Sequence, residues 1–296
     1  MIVVTTPTGQ IGGQLLDRLL DTPDAAGRLR VIARDPARLS RRARGEAEVF
    51  QGSHAEPAVL AAACAGADRV FWLVPPSPGA DSVEGHFGAF TDALCEVIEA
   101  GSVQRVVAVS TLGRGVAKDA GQISASLAMD DRISATGVHY RALCPPFLME
   151  NLLGQAVAIR DLGEFQLTMT ADRVLRTCST RDIAATAARL LLDDSWTGQD
   201  DVPTVGPDTL TAEGMAEVIS EVLGRPVRVR WAAAEDYAAA LRARGASEAW
   251  AGGLADMTRA LEAQDFYGLA ARPTPATAPT DFRTWCEEVL RPAVAG

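Results

Sequence analysis

The sequence predicts an α/β fold: a doubly wound parallel sheet followed by a smaller C-terminal α/β cap. Short β-branched runs alternate with helical stretches through the first half of the chain. Two of those runs, "RVFWLV" at 69–74 and "RVVAVS" at 105–110, are continuously apolar, as strands covered on both faces should be. The spacing of strand and helix suits βαβ units, whose crossovers make neighbouring strands parallel.

The first strand is expected at residues 2–5 and the first helix at 12–21. Ile11, Leu15 and Leu19 fall at i, i+4 and i+8 there, with Leu16 and Leu20 beside them, which gives one apolar stripe. Strands follow at 29–33 and 47–51, a helix at 57–65, a strand at 69–74, a helix at 86–100, and strands at 105–110 and 138–143. After about residue 151 the rhythm changes. A helix at 182–192 carries Ile183, Ala187, Leu190 and Leu191 on one face, and "DVPTVGP" and "RPVRVRW" read as short strands around a helix at 211–223. The tail from Ala233 is helical and alanine-rich until "RPTPATAPT" enforces a loop before the last helix, "DFRTWCEEVL". The division is therefore a sheet domain at 1–151 and a cap at 152–296, with the helix at 182–193 packing back on the sheet.

Composition narrows the function. The chain has 296 residues, 48% hydrophobic and 22% charged, which is ordinary for a globular protein with a sizeable core. A net charge of −10 argues against a nucleic-acid partner, which needs concentrated positive charge. No run approaches the roughly 18 apolar residues of a membrane span, and the N-terminus enters a strand without a basic leader, so no membrane partner and a cytoplasmic location are expected. The five cysteines (Cys64, Cys95, Cys144, Cys178, Cys286) are scattered and odd in number, and the three histidines (His54, His86, His139) are isolated. Neither set has metal-ligand spacing.

The stretch "VTTPTGQIGG" carries the first chemistry. In a βαβ unit an anionic pyrophosphate sits at the N-terminus of the first helix, where backbone N–H groups lack acceptors and the helix dipole is positive. Glycines there allow a tight turn, close approach of backbone to phosphate, and close packing of helix on strand. Gly9 and Gly12 meet the last two needs, while Thr6 stands where the first glycine is expected and Pro7 stiffens the turn. The loop residues Thr6, Thr8, Gly9, Gln10, Ile11 and Gly12 are the candidate dinucleotide site, in a Rossmann-type arrangement. The end of the second strand selects the cofactor. An acidic residue there accepts bonds from a ribose 2′-hydroxyl, whereas arginine holds a 2′-phosphate. "RVIARDPARL" places Arg34 at that end and Arg38 one turn on, which favours NADPH over NADH; the alternative is a solvated cluster with Arg41, Arg42 and Arg44.

The stretches "TPTGQIGGQLLDRLL", "VIARDPARL", "GADRVFWLVPP", "VQRVVAVSTLG", "ATGVHYRALCPPFLMENLL", "STRDIAATAARLLLD", "GPDTLTAEGMAEVISEVLGRPV" and "PTDFRTWCEEVL" resemble, in order and over nearly the whole chain, the NmrA-like group of atypical short-chain dehydrogenases/reductases. The resemblance implies a cleft above the strand ends, with the nicotinamide side lined by Leu73, Val74 and Pro75, by Ser110 and Thr111, and by Pro145, Pro146 and Phe147. Asn151 would cap or bond the next element. Ser110 or Thr111 is the candidate group for polarising a substrate carbonyl, or a hydroxyl that only satisfies backbone. The chain also departs from the wider superfamily. No Tyr-x-x-x-Lys proton donor exists, Tyr140 falls inside a strand, and the family's alternative lysine would fall near Ser126 when counted from Asp130 and Asp131. The only lysine is Lys118, in a glycine-flanked loop.

The leading reading is an NADPH-dependent reductase of a carbonyl, quinone or related electrophile. The cap supply of Trp231, Tyr237, Trp250, Met257, Phe266 and Tyr267 suits a flat apolar substrate. Alanine-, arginine-, aspartate- and glycine-rich usage, with the resemblance, suggests a high-GC bacterial source and an aromatic secondary-metabolite-like small molecule. The alternatives are a non-catalytic NADP(H) sensor of a partner protein and a scaffold that has lost its ligand. A homodimer is left open.

Overall fold

The computed structural model describes residues 1–168, 173–264 and 276–296. The first half alternates as its apolar periodicity demands: β1 (Ile2–Val4), α1 (Gln10–Leu20), β2 (Leu29–Ala33), α2 (Arg41–Glu46), β3 (Glu48–Gln51), α3 (Pro57–Cys64), β4 (Arg69–Trp72), α4 (Val83–Glu99), β5 (Arg105–Val109), α5 (Gln122–Ala135) and β6 (His139–Cys144). The second half adds β7 (Phe147–Leu148), α6 (Ala156–Leu162), β8 (Glu164–Leu167), β9 (Val174–Cys178), α7 (Thr180–Leu192), β10 (Gln199–Pro203), β11 (Thr209–Thr211), α8 (Ala212–Leu223), β12 (Arg228–Trp231), α9 (Ala234–Ala243), α10 (Glu248–Ala263) and helical turns over 282–295.

Seven strands form one parallel sheet in the order β10-β6-β5-β4-β1-β2-β3. Alternate side chains feed two cores, the period-2 rule of a covered sheet. Ile2, Val4, Val31, Phe71 and Val107 face α1 and α7, while Val3, Ile32, Val70, Trp72 and Val106 face α3, α4 and α5. The chain order reverses between β1 and β4, and a crevice opens there above the carboxyl ends. Thr5 continues the junction by one residue, donating its hydroxyl to Phe71 O at 2.9 Å and accepting from Leu73 N at 3.2 Å.

Two segments beyond residue 151 return to the sheet domain, the helix expected to pack back on it and a strand not expected there. Helix α7 packs along α1 and completes one sheet core, and Gln199–Pro203 pairs with β6 as the sheet's edge strand instead of serving as a cap strand. Its sequence, "QDDVP", is polar because an edge strand is half solvated, so the apolar signal of the other strands is missing. The cap itself holds a three-stranded sheet, β11-β9-β7, and the parallel pair β12-β8, over a core that includes Phe165, Met215, Phe282 and Trp285. Part of the "RPTPATAPT" loop lies outside the described residues.

Helix α10 fastens cap to sheet domain. Ser247 N donates to Pro78 O at 2.8 Å, Gln122 Nε2 to Trp250 O at 3.2 Å, and Trp250 packs with Val83 and Ala125. At the centre of this contact the Gly121 backbone meets that of Gly253 so closely that a Cβ on Gly121 would lie 2.7 Å from Gly253 C, at a φ of +51°. Gly121→Ala should therefore destabilise the protein by about 2–3 kcal/mol through overpacking and left-handed strain. Chemical denaturation reads the loss, and limited proteolysis should cut first in the α9–α10 region; unchanged stability would show that the two backbones can separate freely.

Candidate functional site

The loop after β1 forms the floor of the site. Thr6 has φ +52°; Thr6 and Asp119 are the two non-glycine residues with positive φ among the described residues. The residue standing where a glycine was expected therefore adopts a glycine's conformation, at a cost of roughly 1–2 kcal/mol for a side chain with a Cβ. Its Oγ1 is buried without a hydrogen-bond partner. Gly12 is required for a different reason: a Cβ there would lie 2.8 Å from Thr6 C and 3.0 Å from Thr5 O. Helix α1 begins at Gly9 with no side-chain cap and no acid in its first turn, which leaves its first N–H groups available to an anion. Thr8, Gly9 and Gln10 are exposed there, whereas the Ile11 side chain packs into the sheet core and only its backbone faces the site.

Two cavities lie at the carboxyl ends of the strands, the first of them against this loop. The first, of about 250 Å³, is lined by Thr6, Thr8, Gly9, Arg34 and Arg38 on one side and by Ser53, His54, Pro75, His86 and Phe90 on the other. The arginine cluster divides in two. Arg42 pairs with Asp21 and Glu46, and Arg44 donates to Ala37 O at 3.2 Å. Arg34 and Arg38 are exposed toward the cavity and bond no carboxylate among the described residues. Asp35, next in sequence, caps the turn at Pro36–Arg38 by accepting from Ala37 N, so its carboxylate is engaged locally.

His54 and His86 form a wall that the sequence did not reveal. Both pack on Phe90, with ring centroids at 4.6 and 5.1 Å, and both place Nε2 on a carbonyl, Leu73 O at 3.0 Å and Pro75 O at 2.8 Å. A carbonyl only accepts, so each Nε2 carries a proton and donates it. Burial pushes the His54 pKa down to about 4.

The second cavity, of about 450 Å³, lies over the ends of β5 and β6. It gathers Ser110, Thr111, Pro145, Pro146, Phe147 and Asn151 beneath Tyr237, Leu254, Met257 and Leu261 of the cap. Of the residues expected on this side, Leu73 and Val74 pack into the two sheet cores and Pro75 lines the first cavity. Of the cap aromatics, Trp250 is core and Trp231 is 39% exposed away from the cleft; Phe266 and Tyr267 lie outside the described residues. Lys118 is exposed, its backbone bracketed by the Gln264 side chain.

Ser110 does not present a free hydroxyl proton to the cleft. It donates to Asp130 Oδ2, and Asp130, fully buried, also accepts from Tyr140 OH at 2.5 Å and Arg114 Nη2 at 2.9 Å. Burial pushes Asp130 up to about 6 and holds Tyr140 well above the usual phenol range.

With this geometry in place, comparison with known proteins is direct. A family model described as NAD(P)H-binding matches residues 7–194. The chain is 31% identical over 290 residues to an NAD(P)H azoreductase of Xenophilus azovorans, covering 97% of this chain and 96% of that protein. Among solved structures it resembles an NADPH-dependent quinone oxidoreductase from Escherichia coli complexed with NADPH, at a TM-score of 0.75 and 21% identity, covering 100% and 99% of the two chains. It also resembles a mutant NmrA, at a TM-score of 0.69 and 14% identity over 98% and 95% of the chains. These two likenesses are likenesses of fold.

Two measurements probe the site. Gly12→Ala should cost about 2–3 kcal/mol, because the added Cβ meets backbone that cannot rotate away; a variant as stable as the parent would mean that α1 can tilt. His54 ties stability to pH. Its folded pKa of about 4 lies below the ordinary value near 6.5, so protons favour the unfolded chain and its contribution is lost as pH falls between those values. The stability difference between the protein and His54→Gln should narrow by about 3 kcal/mol from pH 7 to 4, and a constant difference would show that His54 titrates normally.

Proposed function

The chain belongs to the NAD(P)H-binding family, and from that premise we propose that it is an NADPH-dependent reductase of a carbonyl, quinone, azo or related apolar electrophile, working without the Tyr-x-x-x-Lys pair of the wider superfamily. One observation carries the cofactor part of this reading: the Thr6–Gly9 turn shares a single cavity with Arg34 and Arg38, which bond no carboxylate among the described residues. A dinucleotide fits this donor set. Pyrophosphate suits the uncapped start of α1, the orphaned Thr6 Oγ1 gains a partner, and two guanidinium groups answer a 2′-phosphate. When bound, the cofactor supplies hydride.

The remaining work falls to the chain. The cleft of Phe147, Leu254, Met257 and Leu261 orients a flat apolar acceptor and thins the water around it, while Thr111 and Ser110 place hydroxyl oxygens at its floor. The azoreductase relative supports an acceptor of this class.

Removing one charge-assisted contact to the 2′-phosphate costs about 1.5–3 kcal/mol. Arg34→Asp should therefore weaken NADPH by at least roughly tenfold while NADH changes far less. Equal weakening of both would reduce Arg34 to a surface charge. NADPH oxidation followed across quinones, azo dyes and polycyclic ketones tests the reaction; tight NADPH binding with no oxidation by any of them would favour the sensor reading instead.

A further inference from the structure

A reductase without the tyrosine and lysine pair still has to protonate the atom that becomes anionic when hydride arrives. Among the described residues, the polar chain through α5 is the buried titratable system that reaches the second cavity. Ser110 lines that cavity and is bonded to Asp130; Asp130 is bonded in turn to Tyr140 and Arg114. Tyr140 and Arg114 line, with Asp201, a separate recess of about 270 Å³ open to solvent on the other side. Asp130 lines neither cavity and bridges the two. We infer that Asp130 is the proton reservoir of the reductive step, delivering through Ser110 Oγ into the cleft beside Phe147 and refilled from the recess at Arg114, Tyr140 and Asp201. This inference rests on the reductase reading.

The bonding supports the direction of transfer. With Asp130 ionised, Ser110 must donate to it and has no proton for the cleft. With Asp130 protonated, the shared bond reverses: Asp130 donates to Ser110 Oγ, and the serine proton turns to the acceptor. In the complete step, hydride breaks away from the nicotinamide carbon with both electrons and forms a new bond to the acceptor. The acceptor's anionic oxygen or nitrogen then takes the Ser110 proton while Ser110 takes that of Asp130. The products are NADP⁺, the reduced acceptor and an Asp130 carboxylate held by Arg114 and Tyr140, which regains a proton from water in the recess. Asp130 acts through Ser110, so it is a positioning and supplying group, and Ser110 is the catalytic residue.

The charged and titratable groups around Asp130 are few. Arg114 favours its carboxylate, Asp201 of β10 opposes it, Tyr140 and Cys144 of β6 are neutral at ordinary pH, and Asp131 is paired with Arg114. On the side facing α4, Arg132 is paired with Asp92. Burial outweighs Arg114 and raises Asp130 to about 6, so the protonated reservoir fills as pH falls through that value and empties above it.

Single-turnover NADPH oxidation with a quinone or azo acceptor, measured from pH 5 to 8, is the test. In the native protein the rate should decline as pH rises past about 6. Asp130→Asn and Ser110→Ala should each remove this limb and slow the step by about 10²-fold, with the double variant no slower than either single one, as expected of groups that act as a unit. Ser110→Thr, which keeps the hydroxyl, should recover most of the rate. A cationic triarylmethane dye becomes neutral on taking hydride and needs no proton, so the loss on the quinone should exceed the loss on the dye by at least tenfold. Infrared difference spectra of the protein without cofactor should show one buried carboxylic acid appearing as pH falls through about 6, absent from Asp130→Asn. A limb that survives Asp130→Asn, additive losses, or no such carboxylic acid band would overturn the inference. If the native protein oxidises no NADPH with any acceptor, the reductase reading fails instead, and the infrared titration still reports on Asp130.

Discussion

The closeness of α1 to the strand that precedes it is the constraint on which the rest of this structure depends. Gly12 lies so near the Thr5–Thr6 backbone that no side chain fits between them. That contact fixes where the helix starts, and hence where its unpaired N–H groups and positive dipole end point. It also forces the chain to reverse within the residues from Thr6 to Gly9, where Gly9 N bonds Thr6 O at 3.0 Å. A left-handed Thr6 is the geometric consequence. A β-branched residue persists in that conformation only when its surroundings over-determine it, and here the bound turn and the packed helix do so.

The two ends of the sheet are built to opposite purposes. Below, buried or stacked arginines tie the strands to the end of α7 and the segment after it. Arg69 bonds Asp68 and Asp194 and the Leu191 carbonyl, while Arg105 and Arg141 both lie over Trp196 and bond the carbonyls that follow α7. Above, polar groups are left over: Thr6 Oγ1 is orphaned, Arg34 and Arg38 bond no carboxylate among the described residues, and the start of α1 has no side-chain cap. Satisfied polar groups stabilise and unsatisfied ones can take a ligand, so the asymmetry supports the proposed cofactor site at the upper face.

What the sequence made legible follows from what is local. Strand and helix alternation, the apolar stripe of α1, Gly9, Gly12 and Arg34 are all decided within a few residues, and each lies where its spacing implied. The return of the chain to the sheet was hidden because β10 is polar at an edge. His54 and His86 read as isolated because they are far apart in sequence; topology alone brings the end of β3 and the head of α4 against Phe90. Ser110, Asp130 and Tyr140 were each visible, yet their connection depends on a helix register that no local rule supplies.

That connection also explains why a buried carboxylate is tolerated at this position. Desolvating an ionised Asp130 would be costly without partners, and three donors converge on it from β5, β6 and the loop between β5 and α5. The network reaches a cavity on each side, through Ser110 on one and through Arg114 and Tyr140 on the other, and continuity of that kind is what a proton path requires and packing alone does not.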